Sequence, residues 1–171
     1  RNTAIGFGTL ETLNPVDGSG DDVAADTYNV AVGHAAGTAI TTGIQNTIVG
    51  SIAADSMTTG GANTFIGYQA AGDGVVTGDT NTAVGANAGL NLTSGGANTF
   101  IGSTAGKFAT STESCTFVGF QAGLGITGTK LTGNNNTAIG NNSGLKLQGA
   151  AVGNQLFGTF AGDQITTGTY N

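Results

Sequence analysis

Chemistry has few starting points in this chain. His34 and Cys115 are each the sole residue of their type, so any Cys/His nucleophile and base would have to be this pair. A zinc site needs three or four Cys, His or carboxylate ligands, which the chain cannot gather around one histidine and one cysteine. Asp17-x-Ser19-x-Asp21 sets oxygen ligands at alternate positions in a Gly-rich stretch, a partial likeness to calcium loops and the one weak metal candidate. Asp22 stands where the usual glycine would follow, and no Glu closes the loop, so a solvated acidic loop is the better reading. The remaining carboxylates, Glu11, Asp55, Asp73, Asp79, Glu113 and Asp163, show no pairing of the kind a glycosidase uses across its bond. Tyr68-Gln69 and Phe120-Gln121 are candidate glycan contacts, because rings stack on apolar sugar faces and amides match hydroxyls. Variable solvent-facing positions would account for them equally well.

What must position these residues is a repeat. Asn63-Thr64-Phe65-Ile66-Gly67 returns nine times in related form, with its glycine at Gly6, Gly33, Gly50, Gly67, Gly85, Gly102, Gly119, Gly140 and Gly158. Most intervals are 17 or 18 residues. Four residues before the glycine stands Asn2, Asn29, Asn46, Asn63, Asn81, Asn98, Asn136 or Asn154, with Cys115 taking the place once. A small pair such as Ala88-Gly89 follows, then an aliphatic residue (Ile40, Met57, Leu92, Ile126, Leu147), then a Thr/Ser-Gly turn. Self-similarity at this period is the mark of stacked units, none of which can bury its apolar face alone. His34 and Cys115 fall in the second and seventh copies, about 24 Å apart at ~4.8 Å per rung, which excludes the dyad.

Composition agrees. Gly supplies 32 residues without collagen's every-third spacing, and only 8% of residues are charged while 38% are apolar. The net charge of −6 and four scattered basic residues argue against nucleic acid. No apolar run approaches the ~20 residues that span a bilayer, so no membrane insertion is expected. The array opens at Arg1-Asn2 and closes on Tyr170-Asn171, where a tenth unit would begin, as expected of a stretch of a longer fibre. No cofactor is expected. Insertions stand at about 14–28 and 128–135 within this single array of residues 1–171.

Asn, Thr, Gly and β-branched residues disfavour helix. The expected fold is all-β, a repeat β-solenoid (β-roll or β-helix) of nine rungs of ~17–18 residues. In an extended segment Asn and the residue two before Gly share one face, while Thr and the residue just before Gly share the other. The second face is uniformly β-branched apart from Phe157, which suits an identical core slot. The first varies from Ala4 to Phe65, Phe100 and Phe117, which are therefore expected to meet a neighbouring chain as candidate trimer contacts. The alternative is a solvent face with single apolar residues. The Asn column is expected to stack its amides along the axis. Thr arrays on a flat solenoid would suit ice binding, but Thr here shares its face with the residues expected in the core, which weighs against it.

Asn-Thr-Ala-Ile-Gly and Asn-Thr-Phe-Ile-Gly, followed by Tyr68-Gln69-Ala70 or Phe120-Gln121-Ala122-Gly123 and a Thr-Thr-Gly turn, resemble the repeats of bacteriophage tail fibres. They are also similar to head repeats of trimeric autotransporter adhesins, whose shorter period and Val-Ala-Ile-Gly core fit less well. The resemblance covers essentially the whole chain. It implies a homotrimeric, extracellular, non-enzymatic shaft of a virion or cell-surface fibre, with the chain itself as partner and a host glycan or protein as target.

Overall fold

A computed structural model describes residues 1–13 and 27–171. Asp17, Ser19 and Asp21 lie outside the described residues. Nine three-residue strands form a single sheet: β1 Thr3–Ile5, β2 Val30–Val32, β3 Thr47–Val49, β4 Thr64–Ile66, β5 Thr82–Val84, β6 Thr99–Ile101, β7 Thr116–Val118, β8 Thr137–Ile139 and β9 Gln155–Phe157. They are parallel and follow one another in chain order, and each pairs in register with the next, Thr64 with Thr82, Phe65 with Ala83, Ile66 with Val84. This is the all-β solenoid that the repeat implies, and no helix occurs among the described residues.

The chain coils because its direction is reversed at fixed places. In the rung of β4, Gly67 has φ 137°, and Gln69, Ala71 and Thr80 sit in the left-handed region at 52°, 52° and 59°. Left-handed corners accept ordinary residues at a modest cost. The corner straight after the strand is glycine in every copy for a further reason. A Cβ on Gly85 would lie 2.6 Å from the carbonyl carbon and oxygen of Gly102 in the next rung. Adjacent rungs are thus in backbone contact at this corner, which no side chain permits.

The two strand faces are the reverse of the sequence expectation. Phe65, Phe100 and Phe117 are fully buried within their own chain, with Ile48, Ala31, Ala83 and Ala138 in the same column. They cannot be trimer contacts. The core accepts their changing size because a large side chain reaches over the smaller residue of the neighbouring rung, so that a Cβ on Gly89, in the Ala83 rung, would meet the Phe100 ring at 3.0 Å. A Cβ on Gly106 would touch the Phe100 ring at 2.8 Å, and one on Gly123 would touch the Phe117 ring at 2.5 Å. Phe100 and Phe117 stack with ring centres 5.2 Å apart, adding about 1 kcal/mol to the burial of their area. The β-branched column faces outward instead, with Ile66, Ile101 and Ile139 at 37%, 40% and 38% exposure.

A smaller departure concerns the rung of β7. Ile126, expected in the aliphatic core slot, is only part-buried and forms an antiparallel bridge with Thr129. Leu131 fills the slot, fully buried and bridged in parallel to Ala109 and Gly149 on its two sides. The longer rung therefore loops out and returns to register at Leu131.

Gly85→Ala adds overlap with the Gly102 backbone to the ~1–3 kcal/mol strain of its φ. The corresponding Cβ on Gly158, in the last rung, meets nothing within 4 Å. Gly158→Ala keeps only the strain of its φ of 119° and is expected to melt several degrees below wild type, with Gly85→Ala well below that, as measured by thermal denaturation followed by circular dichroism. Equal losses would mean that the rung-to-rung approach is not what fixes this glycine.

Candidate functional site

The asparagines form a continuous ladder inside the corner that precedes each strand. The Oδ1 of Asn81 accepts from the backbone N of Asn98 at 3.1 Å and from its Nδ2 at 3.0 Å, and Asn98 Nδ2 also donates to the carbonyl of Thr112 at 2.6 Å. The same arrangement joins Asn29 to Asn46 and Asn136 to Asn154. Stacking was expected; the additional bond to the strand's own backbone N–H is what pins the start of each strand. Cys115 occupies one step. Its backbone N donates to Asn98 Oδ1 at 3.0 Å, while its Sγ replaces the amide oxygen and accepts from Asn136 N at only 3.4 Å. Burial pushes the thiol above its ordinary value, more than the Asn136 hydrogen bonds lower it. The thiol is therefore neutral, enclosed and structural.

The outward sheet face carries two columns. One is Thr47, Thr64, Thr82, Thr99, Thr116 and Thr137, and the other is the β-branched residue two positions on. No strand residue on this face is charged. Among the described residues the hydroxyls of those six threonines have no hydrogen-bond partner, whereas Thr38, Thr93 and Thr110 on other faces bond backbone carbonyls.

Beyond the glycine corner runs a mixed column that includes the candidate glycan contacts. Tyr68 and Phe120 are about half exposed, as is Phe160. Ala86 and Ser103 stand at the equivalent places of the two rungs between Tyr68 and Phe120, so the structure does not bring these rings together. Gln69 turns its amide to Asp73, with Nε2 3.4 Å from Oδ1, and Gln121 extends the left-handed corner at φ 56°. Near the first strands, Phe7 and His34 stack with ring centres 5.8 Å apart. His34 thus belongs to this outer column, while Cys115 lies in the ladder before β7.

Asp55 and Asp73 do interact, contrary to the reading from sequence. Partial burial chiefly, and then the charge of Asp73, raise the Asp55 carboxyl above its ordinary value. Among the described residues, no group of three or more His, Cys, Asp or Glu is placed to hold a metal ion, and no helix is long and apolar enough to cross a membrane.

The fold and these surfaces define a parallel β-solenoid whose chemistry is displayed in rows. Comparison with protein-family models, curated proteins and solved structures found no match.

Cys115→Asn restores the amide oxygen that Asn136 now lacks. The exchange is expected to add about 1 kcal/mol of stability, seen as a rise of about 2–4 °C in melting temperature. An unchanged or lower melting point would show that the ladder step at Cys115 is not limiting.

Proposed function

We propose that the chain is a non-enzymatic adhesive shaft, a segment of an extracellular virion or cell-surface fibre in which three copies pack side by side and display binding surfaces multivalently. The observation that carries this reading is the outward sheet face. It is uncharged in its strands and carries a column of part-exposed Val and of Ile at 37–40% exposure from Val32 to Ile139. A continuous apolar stripe of that kind is what protein contacts cover, and parallel in-register strands present it without interruption. The repeat likeness to phage tail fibres and adhesin heads supports the same assembly. Threefold copies along one rod raise avidity without demanding tight single-site binding, with exposed Tyr68 and Phe120 as glycan-contacting rings.

Light scattering is expected to give three times the chain's 16.6 kDa mass. Ile101→Lys places a charge at the centre of the contact face without entering the core and is expected to yield folded monomer. A folded wild-type monomer would sink the side-by-side assembly.

One observation favours a second reading. The column of threonine hydroxyls from Thr47 to Thr137, broken only beyond it at Val30 and Gln155 and with no partner among the described residues, is interleaved with methyl-bearing side chains and suited to ordering water against an ice surface. The objection raised from sequence, that this face is the core, no longer stands. On that reading wild-type monomer shows thermal hysteresis, which Thr82→Lys abolishes. On the fibre reading the freezing and melting points coincide.

A further inference from the structure

On the turn that precedes each strand, one position alternates in size from rung to rung: Ile44, Gly61, Asp79, Gly96, Glu113. The glycines leave two depressions of about 400 Å³ each, one between Ile44 and Asp79 and the other between Asp79 and Glu113. They share Asp79 and Thr80 and so form one trough along the solenoid axis. Its rims carry hydroxyls, Thr59 and Thr77 among them, and no basic residue lines it. Asp79 is oriented: its Oδ1 accepts from the backbone N of Gly61 at 2.7 Å, which leaves the other carboxylate oxygen for a ligand.

We infer that this trough binds a linear β-1,4-linked glycan laid along the rod. Three features select that class. The lining offers acceptors and hydroxyls without cations, which suits a neutral polyhydroxylated chain and disfavours a phosphate or sulfate. The trough is shallow and runs over the five rungs from Ile44 to Glu113, which suits an extended polymer. Its two gaps, at Gly61 and Gly96, stand two rungs apart, about 9.6 Å at the ~4.8 Å strand spacing, and a twofold extended β-1,4 glycan repeats its disaccharide over nearly that distance. Alternate sugars then enter the gaps at Gly61 and Gly96, and the Asp79 carboxylate between them accepts from sugar hydroxyls. A coiled α-1,4 chain does not match this row. The inference rests on the adhesive reading and assigns it a ligand class and a place separate from the Tyr68 and Phe120 corner.

The test is titration of the chain with cellohexaose, chitohexaose and maltohexaose, followed through backbone amide shifts. The expected result is saturable shifts at Gly61, Asp79 and Gly96 with one or both β-1,4 hexasaccharides and none with maltohexaose. Gly61→Tyr fills one gap. Its Cβ meets only ordinary contacts of 3.4 to 3.6 Å and its φ is outside the left-handed range, so the fold is kept. It is expected to weaken binding by about tenfold or more, and Asp79→Ala to do likewise. No shift with either β-1,4 probe, equal binding of maltohexaose, or undiminished binding by Gly61→Tyr would overturn the inference. Shifts confined to Tyr68 and Phe120 would overturn the trough while leaving the adhesive reading intact, and the molar mass tests the fibre independently of any sugar.

Discussion

A slip of one residue between two rungs would turn every strand inside out, carrying phenylalanine to solvent and threonine into the core. Three-residue strands offer few hydrogen bonds to prevent it. The asparagine ladder supplies the missing constraint, because a side-chain oxygen holds the backbone N–H of the next rung, as Asn46 holds Asn63, and at several steps its amide too, as Asn81 holds Asn98. The buried position of that amide ties the strand's first residue to one place along the chain. The glycine corner at the strand's other end closes the register from the opposite side, since the two backbones there approach too closely for any side chain. Insertions elsewhere in a rung leave both anchors untouched, and the looped-out turn near Ile126 and Thr129 disturbs neither Cys115 nor Gly119.

With register fixed at both ends of the strand, the core becomes tolerant. Column residues range from Ala31 to Phe117, yet the core stays filled because large side chains reach over the alanine rung beside them, Ile48 towards Gly37, Phe100 towards Gly89 and Leu156 towards Gly144. Packing is thus matched within a rung and between neighbours, not by one residue type repeated everywhere. Within its own chain the outer column has no wall to match, and strand propensity there selects Val and Ile.

That difference explains what was legible in the sequence. The period, the strands, the glycine corners and the amide ladder follow from types and spacing, because each is enforced identically in every rung. Which face is inside was not legible from uniformity, since uniform β-branching reports strand propensity as readily as burial. The signal was nonetheless present. Phe65 lies two residues after Asn63 and therefore on its face, so an asparagine buried in the ladder requires a phenylalanine buried beside it. The trough beside Asp79 was invisible for another reason: it arises from alternation along the axis, between residues 17 or 18 apart, which appears only when the rungs are laid on one another.

The separation of anchors from display is what suits such a solenoid to surface recognition. Asparagine, corner glycine and the inner column hold the stack, and the side chains straight after the corner lie outside it. Substitutions there alter a row of side chains at fixed spacing without touching register, as at Tyr68 and Phe120, whereas Asp79 before the strand also bonds the neighbouring rung through Gly61 N. A ligand that is itself periodic gains from every matching rung, and the rigidity of the stack means that little ordering cost falls on the protein when it binds. Recognition by such a rod therefore depends on commensurate spacing more than on the strength of any one contact.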